Sequence, residues 1–281
     1  MLVNLNDMLR DAQKNKYAVG LFNTTDSDTI EGAIAAAEEL NSPIILGTAE
    51  VLLYYGSLQL IGPSMVNMAK KASVPVAIHF DHGLTYEKCV EALELGFSSV
   101  MYDCSTDSYE DNVKKLAQMV KLAHSFGATV EGELGHVGDN VDSAEGDSHL
   151  DDPSKYYTDP EMARDFVNKT GIDALAIAIG TSHGTYTCAP KLDIQRLKDI
   201  RATVDTPLVL HGGSGLSVED FKNCISNGIT KVNIFTDIYN GAKKAILEAS
   251  GGYPEMRMQK VAAVKEVVMN KIMLFGSNGK A

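Results

Sequence analysis

The sequence predicts an α/β fold, a (β/α)8 TIM barrel with a C-terminal helical extension. Three observations carry that prediction. Eight short apolar runs recur at 17–23, 43–49, 76–82, 98–104, 129–135, 174–180, 208–213 and 231–236. They are rich in Val, Ile, Leu and Ala, and several lack polar alternation, as strands buried on both faces read. Amphipathic stretches lie between them, and the chain of 281 residues is about the length such a barrel needs. Gly96, Gly127, Gly171 and Gly228 each follow a helical pattern and precede a strand. Glycine just past a helix is the expected stop, because it tolerates a left-handed backbone. A doubly wound open sheet is the competing architecture. It lacks a dinucleotide fingerprint: the first run leads out through Gly20-Leu21-Phe22-Asn23-Thr24-Thr25, with one glycine and no glycine-rich turn.

The elements follow in order. Run 17–23 is the first strand, and 27–40 is its helix, with Ile30, Ala33, Ile34 and Ala37 on one face and Asp26 or Ser27 as cap. Run 43–49 is the second strand, and no helix is assigned between it and the third, 76–82. Helix 86–95 then leads to strand 98–104, and helix 108–126 to strand 129–135. After a polar stretch, helix 159–170 precedes strand 174–180, helix 193–202 precedes 208–213, and helix 217–227 precedes 231–236. The tail from about 238 to 281 reads as largely helical, with clear periodicity at 256–270. No Pro/Gly/Ser-rich linker interrupts the chain, so 1–281 is read as one domain with 238–281 as its extension.

Composition narrows the function classes. Hydrophobic residues make up 44% and charged residues 22%, an ordinary globular balance. The formal net charge of −12 repels phosphate backbones and argues against nucleic acid as a partner. No apolar run approaches the ~20 residues that a membrane helix needs, so no membrane partner is expected. The first residues lack the pattern of a signal peptide. Cys89, Cys104, Cys188 and Cys224 are scattered and form no C-x-x-C pair, which reads as reduced thiols in a cytoplasmic protein.

In such barrels the chemistry sits at the C-terminal ends of the strands. His82, His183 and His211 stand at the ends of strands three, six and seven, each beside glycine. Three neutral imidazoles suit Zn²⁺ and leave positions open for substrate. Asp103 and Glu133, at strands four and five, could orient those ligands or hold a second divalent ion; as N-caps they would serve structure alone. His211-Gly212-Gly213-Ser214-Gly215 is a glycine-rich turn between a strand and a helix. Its amides can cradle a phosphate, and barrel phosphate sites commonly use the loops after strands seven and eight.

At these residues the chain resembles a known family. The carrying motifs are Ala77-Ile78-His79-Phe80-Asp81-His82-Gly83, Glu131-Gly132-Glu133-Leu134-Gly135, Ala176-Ile177-Ala178-Ile179-Gly180-Thr181-Ser182-His183-Gly184, His211-Gly212-Gly213-Ser214-Gly215 and Lys231-Val232-Asn233-Ile234. Lys265-Glu266-Val267-Val268, Lys271-Ile272 and Phe275-Gly276-Ser277 add to them in the tail. Nearly the whole chain is similar to the class II, zinc-dependent ketose-bisphosphate aldolases of the fructose- and tagatose-bisphosphate type. The resemblance implies reversible cleavage of a phosphorylated ketose to dihydroxyacetone phosphate and an aldehyde. It implies His82, His183 and His211 as zinc ligands, Asp81 as the catalytic acid/base, and Asp103 and Glu133 as an alternative metal position. It matches Gly184, Gly212, Gly213, Ser214, Asn233 and Thr236 to the donor-phosphate site and a nearby Na⁺ or K⁺ site, and Asn23 and Thr48 to substrate contacts. A homodimer or homotetramer is also implied. The chemistry is coherent, because breaking a C–C bond beside a ketone leaves an enediolate that a Lewis-acid metal stabilises.

The chain departs from the family after Gly135. The family pattern continues with two residues, Gly-Gly and a nearby proton-transferring Glu. Here the stretch reads His136-Val137-Gly138-Asp139-Asn140-Val141-Asp142-Ser143-Ala144-Glu145, and the expected Glu falls near Val141. Asp139, Asp142 and Glu145 are the candidates for a loop base, against a plain solvated acidic loop. Arg257 in the tail is a candidate partner for a second phosphate, across a subunit boundary, or a solvated helix residue. Two other readings stand beside the aldolase: a metal-dependent barrel hydrolase, and a non-catalytic sugar-phosphate sensor on the same scaffold. The same ligands would also accept Co²⁺ or Mn²⁺.

Overall fold

A computed structural model describes residues 1–139, 153–186 and 189–281. Eight parallel strands close into a barrel: β1 (Val19–Asn23), β2 (Ile44–Ala49), β3 (Val76–Gly83), β4 (Ser99–Tyr102), β5 (Thr129–Leu134), β6 (Ala174–Ile177), β7 (Leu208–Leu210) and β8 (Ile229–Ile234). Each pairs with its neighbours in sequence, and β8 pairs with β1 through Lys231↔Val19 to Ile234↔Phe22. Every barrel strand is buried along its whole length, which is why the runs read as continuous apolar stretches.

Alternation along the strands divides the molecule. Val19, Leu21, Ile45, Ala77, Ala174, Ala176 and Val209 fill the lower barrel interior. The outward residues pack into a larger apolar shell under the helices. Helix α1 (Leu5–Asn15) sends Leu5, Met8, Leu9 and Ala12 into the lower cluster and stoppers the bottom of the barrel. It starts from a reciprocal capping box between Asn4 and Asp7, which satisfies two amides that the first turn leaves open. Just before it, Leu2–Val3 pairs with the start of β3.

The outer helices are α2 (Ser27–Glu39), α3 (Leu58–Lys71), α4 (Tyr86–Glu94), α5 (Tyr109–Ser125), α6 (Pro160–Thr170), α7 (Ile194–Thr203) and α8 (Val218–Ser226). Helices α1 and α3 are additions to the sequence reading. Helix α3 contains Gly62-Pro63, residues that ordinarily break a helix, yet it buries Ile61, Met65, Val66 and Ala69 at helical spacing. The four punctuating glycines behave as expected: Gly96, Gly127, Gly171 and Gly228 all adopt positive φ.

The tail forms α9 (Thr236–Glu248) and α10 (Tyr253–Phe275). Helix α10 buries Val264, Val268, Ile272 and Phe275 along one stripe and lies against α2. The crossing is close at Gly32, where a Cβ would stand 2.8 Å from the Val261 carbonyl oxygen. Among the described residues no helix is long and apolar enough to cross a membrane.

Candidate active site

The same alternation that builds an apolar lower barrel places polar side chains at its upper end. His79 and Asp81 on β3, Glu131 and Glu133 on β5, and Lys231 and Asn233 on β8 are i, i+2 pairs, so each pair lies on one face of its strand. All six are buried. Lys231 Nζ lies 2.8 Å from Glu131 Oε2 and donates to Asn233 Oδ1 at 2.8 Å. Asn233 Nδ2 donates to Asp81 Oδ1 at 3.0 Å, and Asn23 Nδ2 donates to Asp81 Oδ2 at 2.8 Å. His79 Nδ1 bonds Ser99 Oγ at 2.8 Å, and its Nε2 lies 3.6 Å from Asp81 Oδ1. Burial pushes Asp81 up, but His82, His79 and Lys231 outweigh it and hold the carboxyl well below the usual range. Asp81 is therefore a carboxylate at neutral pH.

His82 should point away from Asp81, because neighbours on a strand face opposite sides. A bulge changes this. The β3–β4 register shifts between Phe80 and Gly83, and His82 adopts φ +40°. Histidine at positive φ is uncommon and strained, and bulges of this kind re-aim side chains beside functional sites.

His82, His183 and His211 come together at the barrel mouth, with one ligating atom from each within 4.8 Å of the others. Ring centroids are 4.6 Å apart for His82 and His211, and 5.0 Å for His82 and His183. Each ring is held from behind by a carboxylate. His82 Nδ1 donates to Asp103 Oδ2 at 2.8 Å, His211 Nε2 to Glu131 Oε1 at 2.8 Å, and His183 Nδ1 to Asp139 Oδ1 at 3.2 Å. His82 Nε2 and His211 Nδ1 face the centre buried and without a hydrogen-bond partner. Buried polar atoms normally find partners, so two such nitrogens in one cluster point to a missing electrophile. Carboxylate–histidine pairs are also the usual support of metal-ligating imidazoles. On both counts the residues fit a divalent metal.

Glu133 joins this cluster. Its Oε1 accepts from Val137 N–H at 3.0 Å, and its Oε2 stands 3.4 Å from His211 Nδ1. Burial and the Asp103 charge push it up to about 8. Burial lowers His211 to about 4, which keeps its imidazole neutral. Asp103 accepts from Ser105 N–H and Oγ at 3.0 and 2.7 Å, and Ser105 Oγ bonds His136 Nδ1 at 2.9 Å.

The glycine-rich turn follows β7 directly. Gly212 has φ +64°, and a Cβ there would stand 2.5 Å from the Ser182 carbonyl oxygen, so only glycine lets this loop lie against the loop that carries His183. Tyr186 Oη ties the two loops, accepting from Ser182 N–H at 2.8 Å and donating to the Gly212 carbonyl at 2.9 Å. Gly213 N–H donates to the Asn233 carbonyl at 3.2 Å, and Ser214 Oγ accepts from Phe235 N–H at 3.2 Å. The turn therefore sits against the amino end of α9, whose first residue is Thr236. Gly184, the next residue after His183, has φ +83°.

The remaining sequence candidates fall in different places. Asn23 contacts Asp81 directly. Thr48 is buried on β2 opposite Phe80, with Oγ1 unpartnered. Asp139 lies behind His183. Asp142 and Glu145 lie outside the described residues. Arg257 sits on α10 and pairs with Asp28 and Glu31 of α2 in its own chain. Glu131, Lys231 and His79 were not singled out from the sequence. Each stands two residues before Glu133, Asn233 or Asp81, so the strand period alone could have found them.

Comparison with known proteins adds the following. A family model described as class-II fructose-bisphosphate aldolase matches residues 3–280. A fructose-bisphosphate aldolase of Geobacillus stearothermophilus is 40% identical over 293 residues, covering 100% of this chain and 99% of the relative. The Escherichia coli (strain K12) protein YdjI is 40% identical over 283 residues, covering all of both chains. The crystal structure of the YdjI aldolase superposes with a TM-score of 0.90 at 38% identity, covering 100% of both chains. That of a putative fructose-1,6-biphosphate aldolase from Coccidioides immitis gives 0.89 at 27% identity, covering 99% and 97%.

Proposed function

Because the chain belongs to the class-II fructose-bisphosphate aldolase family, we propose that its barrel mouth is a zinc-dependent aldolase site that reversibly cleaves a phosphorylated ketose into dihydroxyacetone phosphate and an aldehyde. The chain is an aldehyde-lyase, which sets aside the barrel-hydrolase and sensor alternatives. One observation carries the finer reading. Three imidazoles, each backed by a carboxylate, converge beside the buried Asp81.

His82 Nε2, His183 Nε2 and His211 Nδ1 would hold the metal. Bound there, zinc supplies Lewis-acid polarisation of the ketone. Asp81 is the general base in cleavage: it takes the C4 hydroxyl proton, and it returns that proton to the aldehyde oxygen in condensation. Asn23 and Asn233 fix its carboxylate by donating one amide each. The dihydroxyacetone phosphate end lies toward Gly184, Gly212, Gly213, Ser214, Asn233 and Thr236, where backbone amides and the amino end of α9 favour an anion. A monovalent cation beside that turn, a second divalent position at Asp103 and Glu133, a homo-oligomeric assembly and a cytoplasmic location complete the reading.

Fructose- or tagatose-1,6-bisphosphate, or a related ketose phosphate, is the proposed substrate. Two relatives of equal identity carry different names, so identity does not choose between sugars. The test is a panel of ketose mono- and bisphosphates with dihydroxyacetone phosphate as the readout. Release from at least one member, lost with a chelator and restored by zinc, is expected. Undiminished cleavage by demonstrably metal-free protein would overturn the zinc assignment.

A further inference from the structure

Asp139 is the third of the carboxylates behind the imidazoles, and its position is fixed by backbone pairing. The two-residue strand Gly138–Asp139 runs parallel to Ser182–His183, with Asp139 in register opposite His183. Residues in register point to the same face, so the pairing itself brings the carboxylate to the ring. A slip of one residue would turn the Asp139 side chain to the other face. The contact is enclosed: side-chain exposure is 4% for Asp139 and 5% for His183. Oδ1 stands 3.2 Å from His183 Nδ1. A carboxylate can only accept in that contact, so Nδ1 carries the proton and Nε2 is left as a lone-pair donor.

We infer that Asp139 is a positioning residue for the metal centre: it fixes the ring and tautomer of His183, and it serves in this way instead of as the loop base. The inference rests on the metal reading of His82, His183 and His211. It distinguishes His183 from the other two rings in one respect. Asp103 directly follows barrel strand β4 and Glu131 lies within β5, whereas Asp139 and His183 both lie in loops beyond the strand ends. The His183 arm of the site is therefore assembled by two loops holding each other, and Asp139 is a side-chain link between them.

Zinc affinity, measured by competition with a chromophoric chelator, tests this together with the visible spectrum of the Co²⁺-substituted protein. Wild type, Asp139→Asn, Asp139→Ala and His183→Ala are compared, each with a far-UV circular dichroism spectrum like that of wild type. Loss of a partner behind a ligating histidine typically weakens binding about 10- to 100-fold. Asp139→Ala is expected in that range with an altered Co²⁺ spectrum. Asp139→Asn, which keeps an acceptor oxygen but not the charge, is expected to fall between it and wild type. Asp139→Ala within twofold of wild type, with an unchanged Co²⁺ spectrum while His183→Ala weakens binding, would overturn the inference. So would an Asp139→Ala protein with unaltered metal affinity that has lost hydrogen exchange on dihydroxyacetone phosphate, because that is the behaviour of a base. Should wild type bind no zinc, or His183→Ala bind it undiminished, the metal reading itself falls and takes the inference with it.

Discussion

Asp81 has no accessible surface, and burial alone would favour its neutral form. The surrounding His82, His79 and Lys231 reverse that preference, and two asparagine amides occupy its oxygens. Its charge is thus a property of the cluster. Replacing Asp81 by Asn removes the proposed proton acceptor while keeping the shape. A positioned general acid or base is worth about 100- to 10,000-fold, so kcat for Asp81→Asn is expected to fall by that factor at unchanged zinc stoichiometry. Turnover alongside metal analysis checks both halves. The residues proposed to touch substrate or metal were largely legible in the sequence, because strand ends are where barrels keep their chemistry and His82, His183 and His211 follow strands beside glycines. The residues behind them were less so. Glu131 and Lys231 read as strand interior, and Asp139 read as a candidate loop base, because its partner lies 44 residues away and only the loop–loop register shows the contact.

Secondary-structure elements bring those residues into range by two local devices. The β3 bulge lets the adjacent Asp81 and His82 serve one site, at the cost of a left-handed histidine backbone. The second device is the C-terminal pair of helices. Helix α9 places its amino end beside the glycine-rich turn, and α10 returns across α2. That crossing is latched by Lys260 of α10 on Asp26, the N-cap of α2, at 2.7 Å. Partial burial pushes Asp26 up, but the bonds from Lys260 and from the Thr29 amide outweigh it, so its folded value lies below the ordinary one. A lowered value stabilises the fold above the unfolded pKa of about 3.9 and loses that contribution as pH falls through the folded value. Asp26→Asn is therefore expected to be less stable than wild type at neutral pH, with the gap closing below about pH 4. Urea unfolding across that range measures it. A gap of constant size through the acid limb would show that Asp26 acts only as an uncharged cap. Element boundaries were mostly legible from apolar periodicity and glycine stops. Helix α3 was hidden by Gly62-Pro63, and α1 lies before the first apolar run, where no preceding strand marks a βα unit.

Across the whole molecule, one gradient organises the barrel. Its interior is apolar at the bottom, where α1 closes it, and becomes ionic toward the mouth. The lower layers fix the strands, and the rigid strands in turn hold the site to a geometry that isolated loops would not keep. The barrel itself was legible from eight runs and their glycine punctuation; its ionic upper interior was not, since each charged residue sits within an otherwise apolar run. A net charge of −12 gives a sugar phosphate no general attraction, so the proposed binding relies on local groups, the metal centre and the glycine-rich turn. The most direct test is hydrogen exchange in D₂O. Zinc-loaded protein is incubated with dihydroxyacetone phosphate alone, and the hydroxymethyl proton signal is followed by NMR. Enzyme-dependent loss of that signal, abolished in His183→Ala, is expected. Persistence of the signal with wild-type protein of confirmed zinc occupancy and intact fold would contradict it.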